Sequence, residues 1–160
     1  MPRHDPLREQ LARLLAWEDA HPDFTAAVAK LPPKLRGVRP ADLPYSPWRL
    51  VEHLRITQHD ILDFCRNPAY CQPTWPDDYW PDGDAPPSAA AWTESVRAFQ
   101  RDREALQALA GDPAIDLLAT IPHGDGQTYL RELLLAADHA AYHVGELIVV
   151  RRLLGCWPPA

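Results

Sequence analysis

The chain has 160 residues, of which 46% are hydrophobic and 24% are charged, a composition typical of one globular domain rather than a disordered segment. Its formal net charge is −6, and Arg151 and Arg152 are its only adjacent cations. Because nucleic acids and anionic membrane surfaces are bound by clustered cations, neither is an expected partner. The N-terminus lacks an apolar signal segment, and three cysteines without Cys-x-x-Cys spacing favour reduced thiols, so we predict a cytoplasmic location.

The first predicted element is an amphipathic helix, interrupted once. Leucines recur at helical spacing from Leu7 to Leu15, and His21-Pro22 then breaks the pattern. Helical spacing resumes at Phe24 and stops at Pro32-Pro33. We therefore expect residues 5–31 to form one helix in two pieces or two short helices.

Three longer helices follow. Ser46-Pro47 predicts a helix start, with a serine cap before proline at the first helical position, and Asn67-Pro68 ends this helix. The next helix opens near Ser88 and ends at Gly111, and the last runs from Thr128 to Leu154, while residues 112–127 read as a loop. Four apolar helix faces and no strand pattern predict an all-α fold, a four-helix bundle forming a single domain over residues 1–160.

The connector between the second and third helices, residues 66–87, is rich in proline and aromatic residues. A connection of this length must cross the bundle or cover something, because a neighbouring antiparallel helix needs only a short turn. Its aromatic side chains, Trp75, Tyr79 and Trp80 among them, either form a lid over a binding site or plug one end of the bundle. The sequence leaves both interpretations open.

Three histidines form the candidate centre. His139 and His143 are four residues apart on an otherwise apolar helix, so their side chains lie on one helix face. His53 lies between buried-face positions of the second helix, and metal sites in bundles are built from such facing side chains. Three imidazoles would leave positions on a divalent ion open for water or substrate. The alternative is that these histidines are hydrogen-bonded core residues without a metal.

Carboxylates on the same helix faces are candidates for catalytic or supporting roles. Glu146 is one turn from His143, Glu132 is two turns before His139, and Asp60 is two turns after His53. Each could orient an imidazole N–H or move a proton. We favour Glu146, because it is nearest in helical spacing to a histidine.

Two segments resemble the DinB-like (YfiT-like) family. Residues 137–155, ADHAAYHVGELIVVRRLLG, resemble its last helix, and residues 46–56, SPWRLVEHLRI, resemble its second helix. The resemblance implies a four-helix bundle with a long crossover between helices two and three, which residues 66–87 fit. It also implies that His53, His139 and His143 are ligands of a divalent metal ion, zinc or nickel.

The resemblance implies metal-dependent chemistry without fixing the reaction. The family includes transferases and isomerases that use the low-molecular-weight thiols bacillithiol or mycothiol. Our leading expectation is a thiol-dependent S-transferase for small electrophiles, assisted by Glu146 or Asp60, with Trp75, Tyr79 and Trp80 lining the pocket. The alternatives are a hydrolase using metal-bound hydroxide and a non-catalytic stress-related binding or scaffold protein. A homodimer is expected from the same resemblance.

Overall fold

The computed structural model describes residues 5–16, 20–40 and 43–158. Within these ranges five α-helices follow one another: α1 (Pro6–Leu14), α2 (Phe24–Val28), α3 (Pro47–Arg66), α4 (Ala89–Gly111) and α5 (Tyr129–Leu153). Short 3-10 turns occupy Pro33–Leu35 and Asp77–Tyr79. Within the described ranges, the one strand-like feature is an isolated bridge between Thr120 and Thr128, so the all-α prediction is confirmed.

The first predicted element, residues 5–31, is found as two short helices, α1 and α2. Residues 17–19 of that span lie outside the described residues. The predicted starts of the three long helices are confirmed, because the residue before each start accepts a backbone N–H two or three residues into the helix. The capping hydroxyl of Ser46 accepts from the N–H of Arg49, that of Ser88 from Ala91, and that of Thr128 from Arg131. Gly155 ends α5 with a φ of 69°, a conformation that favours glycine.

The two long helices that pack against α3 run in opposite directions relative to it. Helices α3 and α5 are antiparallel, since His53 meets His143 while Thr57, one turn later, meets His139. Helices α3 and α4 are parallel, as three contacts along them show: Trp48 with Trp92, Gln58 with Phe99, and Arg66 with Ala105. A parallel neighbour requires the chain to return over the length of α3, about 30 Å, which explains the long connector.

This connector runs back along α3 as a crossover and is hydrogen-bonded to that helix throughout. Its contacts occur in reverse order along α3: Tyr70 with Asp60, Tyr79 with His53, Pro81 with Arg49, and Asp84 with Ser46. The contacts involve both side chains and backbone carbonyls, so the path of the crossover is set by α3. It therefore places a backbone carbonyl and two aromatic rings beside the middle of that helix.

Helix α5 is the most apolar element of the fold. By length and composition it could cross a membrane, but 44% of its most apolar window is buried inside the domain. One face packs against α3 and carries two of the candidate histidines. All three cysteines are free thiols, as expected: Cys65 is buried, Cys71 is exposed and Cys156 is partly buried.

A buried arginine fixes the C-terminal end of α5. The side chain of Arg151 is fully buried and donates hydrogen bonds to the carbonyl oxygens of Ala27, Ala29 and Cys156, at 2.6, 3.0 and 2.8 Å. These bonds tie the end of α2 and the chain after α5 to the helix that carries two histidines.

We expect Arg151→Ala to lower the free energy of unfolding by about 3 kcal/mol or more, because it removes three charge-assisted hydrogen bonds and leaves a buried carbonyl without a partner. The measurement is urea unfolding followed by circular dichroism. Arg97→Ala, on the exposed side of α4, is the matched control and should change stability by less than about 0.5 kcal/mol. Equal losses in the two variants would contradict this role of Arg151.

Candidate metal centre

The structure brings His53 of α3 together with His139 and His143 of α5. The Nε2 atom of His53 lies 3.2 Å from Nε2 of His143 and 3.2 Å from Nε2 of His139. One nitrogen from each ring lies within 4.8 Å of the other two. His53 and His143 are buried and His139 is partly exposed, so His139 is the member of the cluster that reaches solvent.

Each imidazole makes a second contact through its other nitrogen. Nδ1 of His53 lies 2.7 Å from the carbonyl oxygen of Tyr79, and Nδ1 of His143 lies 2.6 Å from a carboxylate oxygen of Glu146. A carbonyl and a carboxylate only accept hydrogen bonds, so both Nδ1 atoms carry the proton. In the neutral rings, Nε2 therefore presents a lone pair toward the centre of the cluster.

His139 has the same arrangement through a hydroxyl group. Its Nδ1 lies 3.3 Å from Oγ1 of Thr57, and that hydroxyl donates its own proton to the carbonyl oxygen of His53 at 2.8 Å. The hydroxyl oxygen is thus left to accept from Nδ1–H of His139. All three rings consequently have the tautomer that directs an Nε2 lone pair inward.

Burial keeps the rings of His53 and His139 neutral. The pKa of His53 is lowered to about 4, mainly by desolvation; the Tyr79 hydrogen bond opposes this shift and the nearby His143 adds to it. Desolvation, followed by the charges of His143 and His53, lowers the pKa of His139 to about 3. Both rings are therefore uncharged at neutral pH, the form in which imidazole binds metals.

The donor set fits a divalent transition-metal ion. Two nitrogens bound at about 2.0–2.1 Å to one tetrahedral ion lie about 3.3 Å apart, close to the separations of 3.2 Å found here. Three lone pairs facing one another repel unless a cation or a shared proton lies between them. Neutral imidazole suits zinc, nickel, copper and iron, and the three rings can hold one divalent ion and leave further positions open.

Aromatic rings surround the cluster. Trp80 of the crossover stacks on His53, with ring centroids 3.8 Å apart and planes 2° from parallel, and Tyr45 stacks on Trp80 at 5.2 Å. The ring of Tyr142 meets His143 edge-on at 4.9 Å and is 63% exposed. The carboxylate of Glu146 raises the pKa of the Tyr142 phenol, first through its charge and then through a hydrogen bond.

The sequence-predicted carboxylates occupy three different environments. Glu146 contacts His143 directly, as favoured from its spacing. Asp60 lies away from the imidazoles and accepts hydrogen bonds from the phenols of Tyr70 and Tyr79, at 2.7 and 2.8 Å. Glu132 is buried and pairs with Arg131. Catalytic roles for Glu146 and Asp60 stay predictions, but only Glu146 touches the cluster.

The three aromatic residues predicted to line a pocket also occupy different environments. Trp80 touches two of the three histidines through its ring, whereas Tyr79 meets His53 through its backbone carbonyl and Asp60 through its phenol. Trp75 is 65% exposed and contacts Tyr79, at 5.3 Å between ring centroids. Binding of a cofactor or substrate by these residues stays a prediction, with Trp80 the best placed.

Two further histidines lie away from the cluster. His59 is exposed and pairs with Asp102 of α4 at 3.0 Å, and His123 in the loop before α5 contacts the backbone carbonyl of Phe64 at 2.7 Å. Thr57, Tyr45 and Tyr142 were not predicted from the sequence to lie at the site. Only Thr57 carried a usable signal, because a hydroxyl four residues after His53 lies on the same helix face.

The fold and the cluster together define a helical-bundle protein with a three-histidine centre that is able to hold a divalent ion. A sequence profile of the DinB superfamily matches residues 16–147, which is most of the chain. The chain therefore belongs to the DinB superfamily. No curated protein and no solved structure matches it at a significant level.

We expect the wild-type protein, purified without a metal-affinity tag and loaded with zinc, to retain about one equivalent per chain after dialysis. His53→Ala should lose most of that metal, because two imidazoles on one helix remain. His59→Ala is the matched control on the same helix and should keep the wild-type content, measured by elemental analysis. Retention of the full equivalent by His53→Ala would contradict the proposed ligand set.

We expect Glu146→Gln and Thr57→Val each to weaken zinc affinity by about 10- to 100-fold, because the first replaces a charged acceptor of the His143 Nδ1–H by a weaker neutral one and the second removes the acceptor of the His139 Nδ1–H. Competition against a chelating dye measures the dissociation constant. Glu104→Gln, at an exposed position of α4, should leave affinity unchanged. Unchanged affinity in both site variants would show that their Nδ1 contacts do not orient the ligands.

Proposed function

We propose that this protein is a metal-dependent enzyme that joins a low-molecular-weight thiol to a small electrophile. The observation that carries the proposal is the convergence of three Nε2 lone pairs at a cluster in which His139 is partly exposed to solvent. A closed structural site would use a fourth protein ligand, and no fourth histidine, cysteine, aspartate or glutamate joins the cluster among the described residues. The remaining positions on a bound ion are therefore open to a ligand such as a small thiol.

When bound, a divalent cation supplies positive charge that lowers the pKa of a coordinated thiol and so favours the nucleophilic thiolate. His53, His139 and His143 would hold this ion through Nε2. In the overall reaction, the sulfur forms a bond to the electrophilic carbon, the thiol proton passes to solvent, and the leaving group departs with the electrons of its bond. No redox partner is required.

The protein groups around the cluster support such a reaction. Glu146 keeps the proton on Nδ1 of His143 and so preserves a ligand lone pair. Trp80 fixes the plane of His53 by stacking and presents an apolar wall, which suits an uncharged electrophile. Tyr142 is exposed beside His143, and its phenol interacts with Glu146, whose charge and hydrogen bond raise the phenol's pKa.

The test is thioether formation by zinc-loaded protein with monochlorobimane and, in parallel, cysteine, bacillithiol or mycothiol. We expect at least one thiol to react faster than in buffer containing the same zinc concentration, with His59→Ala retaining the rate. His53→Ala should lose about 100-fold or more, as expected for loss of an activating ion.

Two results would contradict the proposal. If zinc-loaded protein matches the rate in zinc-containing buffer with every thiol, transfer to this class of electrophile is excluded. If the protein instead cleaves 4-nitrophenyl acetate without any thiol, and this activity is lost in His53→Ala, the centre activates water and the enzyme is a hydrolase.

A further inference from the structure

A groove of about 510 Å³ lies between α3 and α4. This groove, called here the α3–α4 groove, is lined by residues of both helices and of the chain before α4, among them Trp48, Glu52, Pro87, Ala91, Ser95 and Ala98. None of the three histidines of the metal centre is among the described residues that line it. Glu52 follows His53 by about 100° around α3, so the groove and the centre lie on different sides of that helix.

Two oxygen atoms on the residues of this groove lack hydrogen bonds. Oγ of Ser95 and Oε2 of Glu52 are buried, and neither has a partner among the described residues. Ser95 is only 3% exposed. A serine hydroxyl inside a helix can donate to the carbonyl four residues earlier, but Ser95 makes no such bond. Buried polar atoms are nearly always hydrogen-bonded, so a pair of unsatisfied oxygens on one groove indicates a missing partner.

The two residues lie opposite each other across the groove. His59 of α3 and Asp102 of α4 are 43 positions apart in the sequence and are joined at 3.0 Å. Glu52 and Ser95 are also 43 positions apart, and each precedes a member of that pair by seven residues, or two turns. Because α3 and α4 run parallel, Glu52 and Ser95 occupy corresponding positions on the two facing sides. They are not bonded to each other, which leaves a place between them for a group that donates to both.

The charges of the groove favour a cationic donor. Three carboxylates line it with two arginines, namely Glu52, Glu94 and Asp102 with Arg55 and Arg101. Each arginine already pairs with one carboxylate, at 2.6 and 2.8 Å, so the negative charge is in excess. The Arg55 bond uses only Oε1 of Glu52 and leaves Oε2 free to accept. A primary ammonium carries three N–H donors on one positive charge and makes charge-assisted bonds to carboxylates.

We propose that the α3–α4 groove binds a small aliphatic primary amine, whose ammonium group donates to Oε2 of Glu52 and to Oγ of Ser95. The alkyl part of the ligand lies against the small apolar side chains of Ala91 and Ala98, because apolar walls with a few polar groups are typical of small-molecule sites. The site does not depend on metal binding or on the proposed reaction.

Titration of the ¹⁵N-labelled wild-type protein with n-butylamine hydrochloride at neutral pH, followed by two-dimensional NMR, tests the proposal. Amide signals of α3 around Glu52 and of α4 around Ser95 should shift to saturation, with a dissociation constant of about 10 mM or lower. Butan-1-ol and tetramethylammonium chloride should each bind at least about tenfold more weakly. The alcohol has no charge, and the quaternary ammonium has no N–H donor.

Ser95→Ala should weaken butylamine binding by at least about fivefold and Glu52→Gln by at least about tenfold, because a hydrogen bond to a charged group is the stronger one. Ser95→Ala should also unfold at a higher urea concentration than the wild type, since it removes an unsatisfied buried hydroxyl and alanine favours helices. Its weaker binding would therefore not come from misfolding. Glu104→Gln, on an exposed position of α4, is the control and should bind as the wild type does.

Three results would overturn the proposal. The first is the absence of saturable shifts up to about 100 mM butylamine, or shifts confined to other parts of the chain. The second is equal affinity for tetramethylammonium, which would show that charge alone attracts the ligand. The third is unchanged affinity in both Ser95→Ala and Glu52→Gln, which would show that the two oxygens do not receive the ammonium group.

Discussion

The arrangement of this protein depends on the hydrogen bonds that fix three imidazole tautomers. His53, His139 and His143 each hold a proton on Nδ1 because a carbonyl, a hydroxyl or a carboxylate lies beside that atom. Their Nε2 lone pairs consequently meet in one small volume, where neutral rings repel one another unless a cation or a shared proton joins them. Burial of lone pairs in this way costs stability, and polar groups that cost stability are retained mainly where they serve a function.

The crossover and α3 form one support for this centre. Because α3 and α4 run parallel, the chain must return along α3, and this return supplies both the Tyr79 carbonyl and the Trp80 ring to His53. Asp60 on α3 also holds the crossover, because it accepts hydrogen bonds from the phenols of Tyr70 and Tyr79, at the two ends of the 70–79 segment. The aromatic residues of the crossover therefore differ in position. Trp80 stacks on a histidine of the centre, while Trp75 lies outside the centre and is exposed.

Local signals in the sequence predicted the features that depend on neighbouring residues. Capping at Ser46 and Thr128 fixed the helix starts, and four-residue spacing placed His139 and His143 on one face. The meeting with His53 followed from family resemblance and bundle geometry. Other features depend on the path of the crossover, which has no periodic pattern to read. Two interactions of this kind could not be predicted, because no spacing in the sequence indicates them. They are the hydrogen bonds from Tyr70 and Tyr79 to Asp60, and the hydrogen bond from His53 to the backbone carbonyl of Tyr79.

Binding of one accessible ion by the three histidine nitrogens can be observed by X-ray absorption spectroscopy at the zinc edge, on protein loaded with one equivalent. We expect three imidazole nitrogens at about 2.0–2.1 Å, with the outer-shell scattering of imidazole rings, and one or two further light-atom ligands that exchange when thiol is added. A first shell of oxygen atoms without imidazole scattering would contradict this ligand set, as would a spectrum that is identical in His53→Ala.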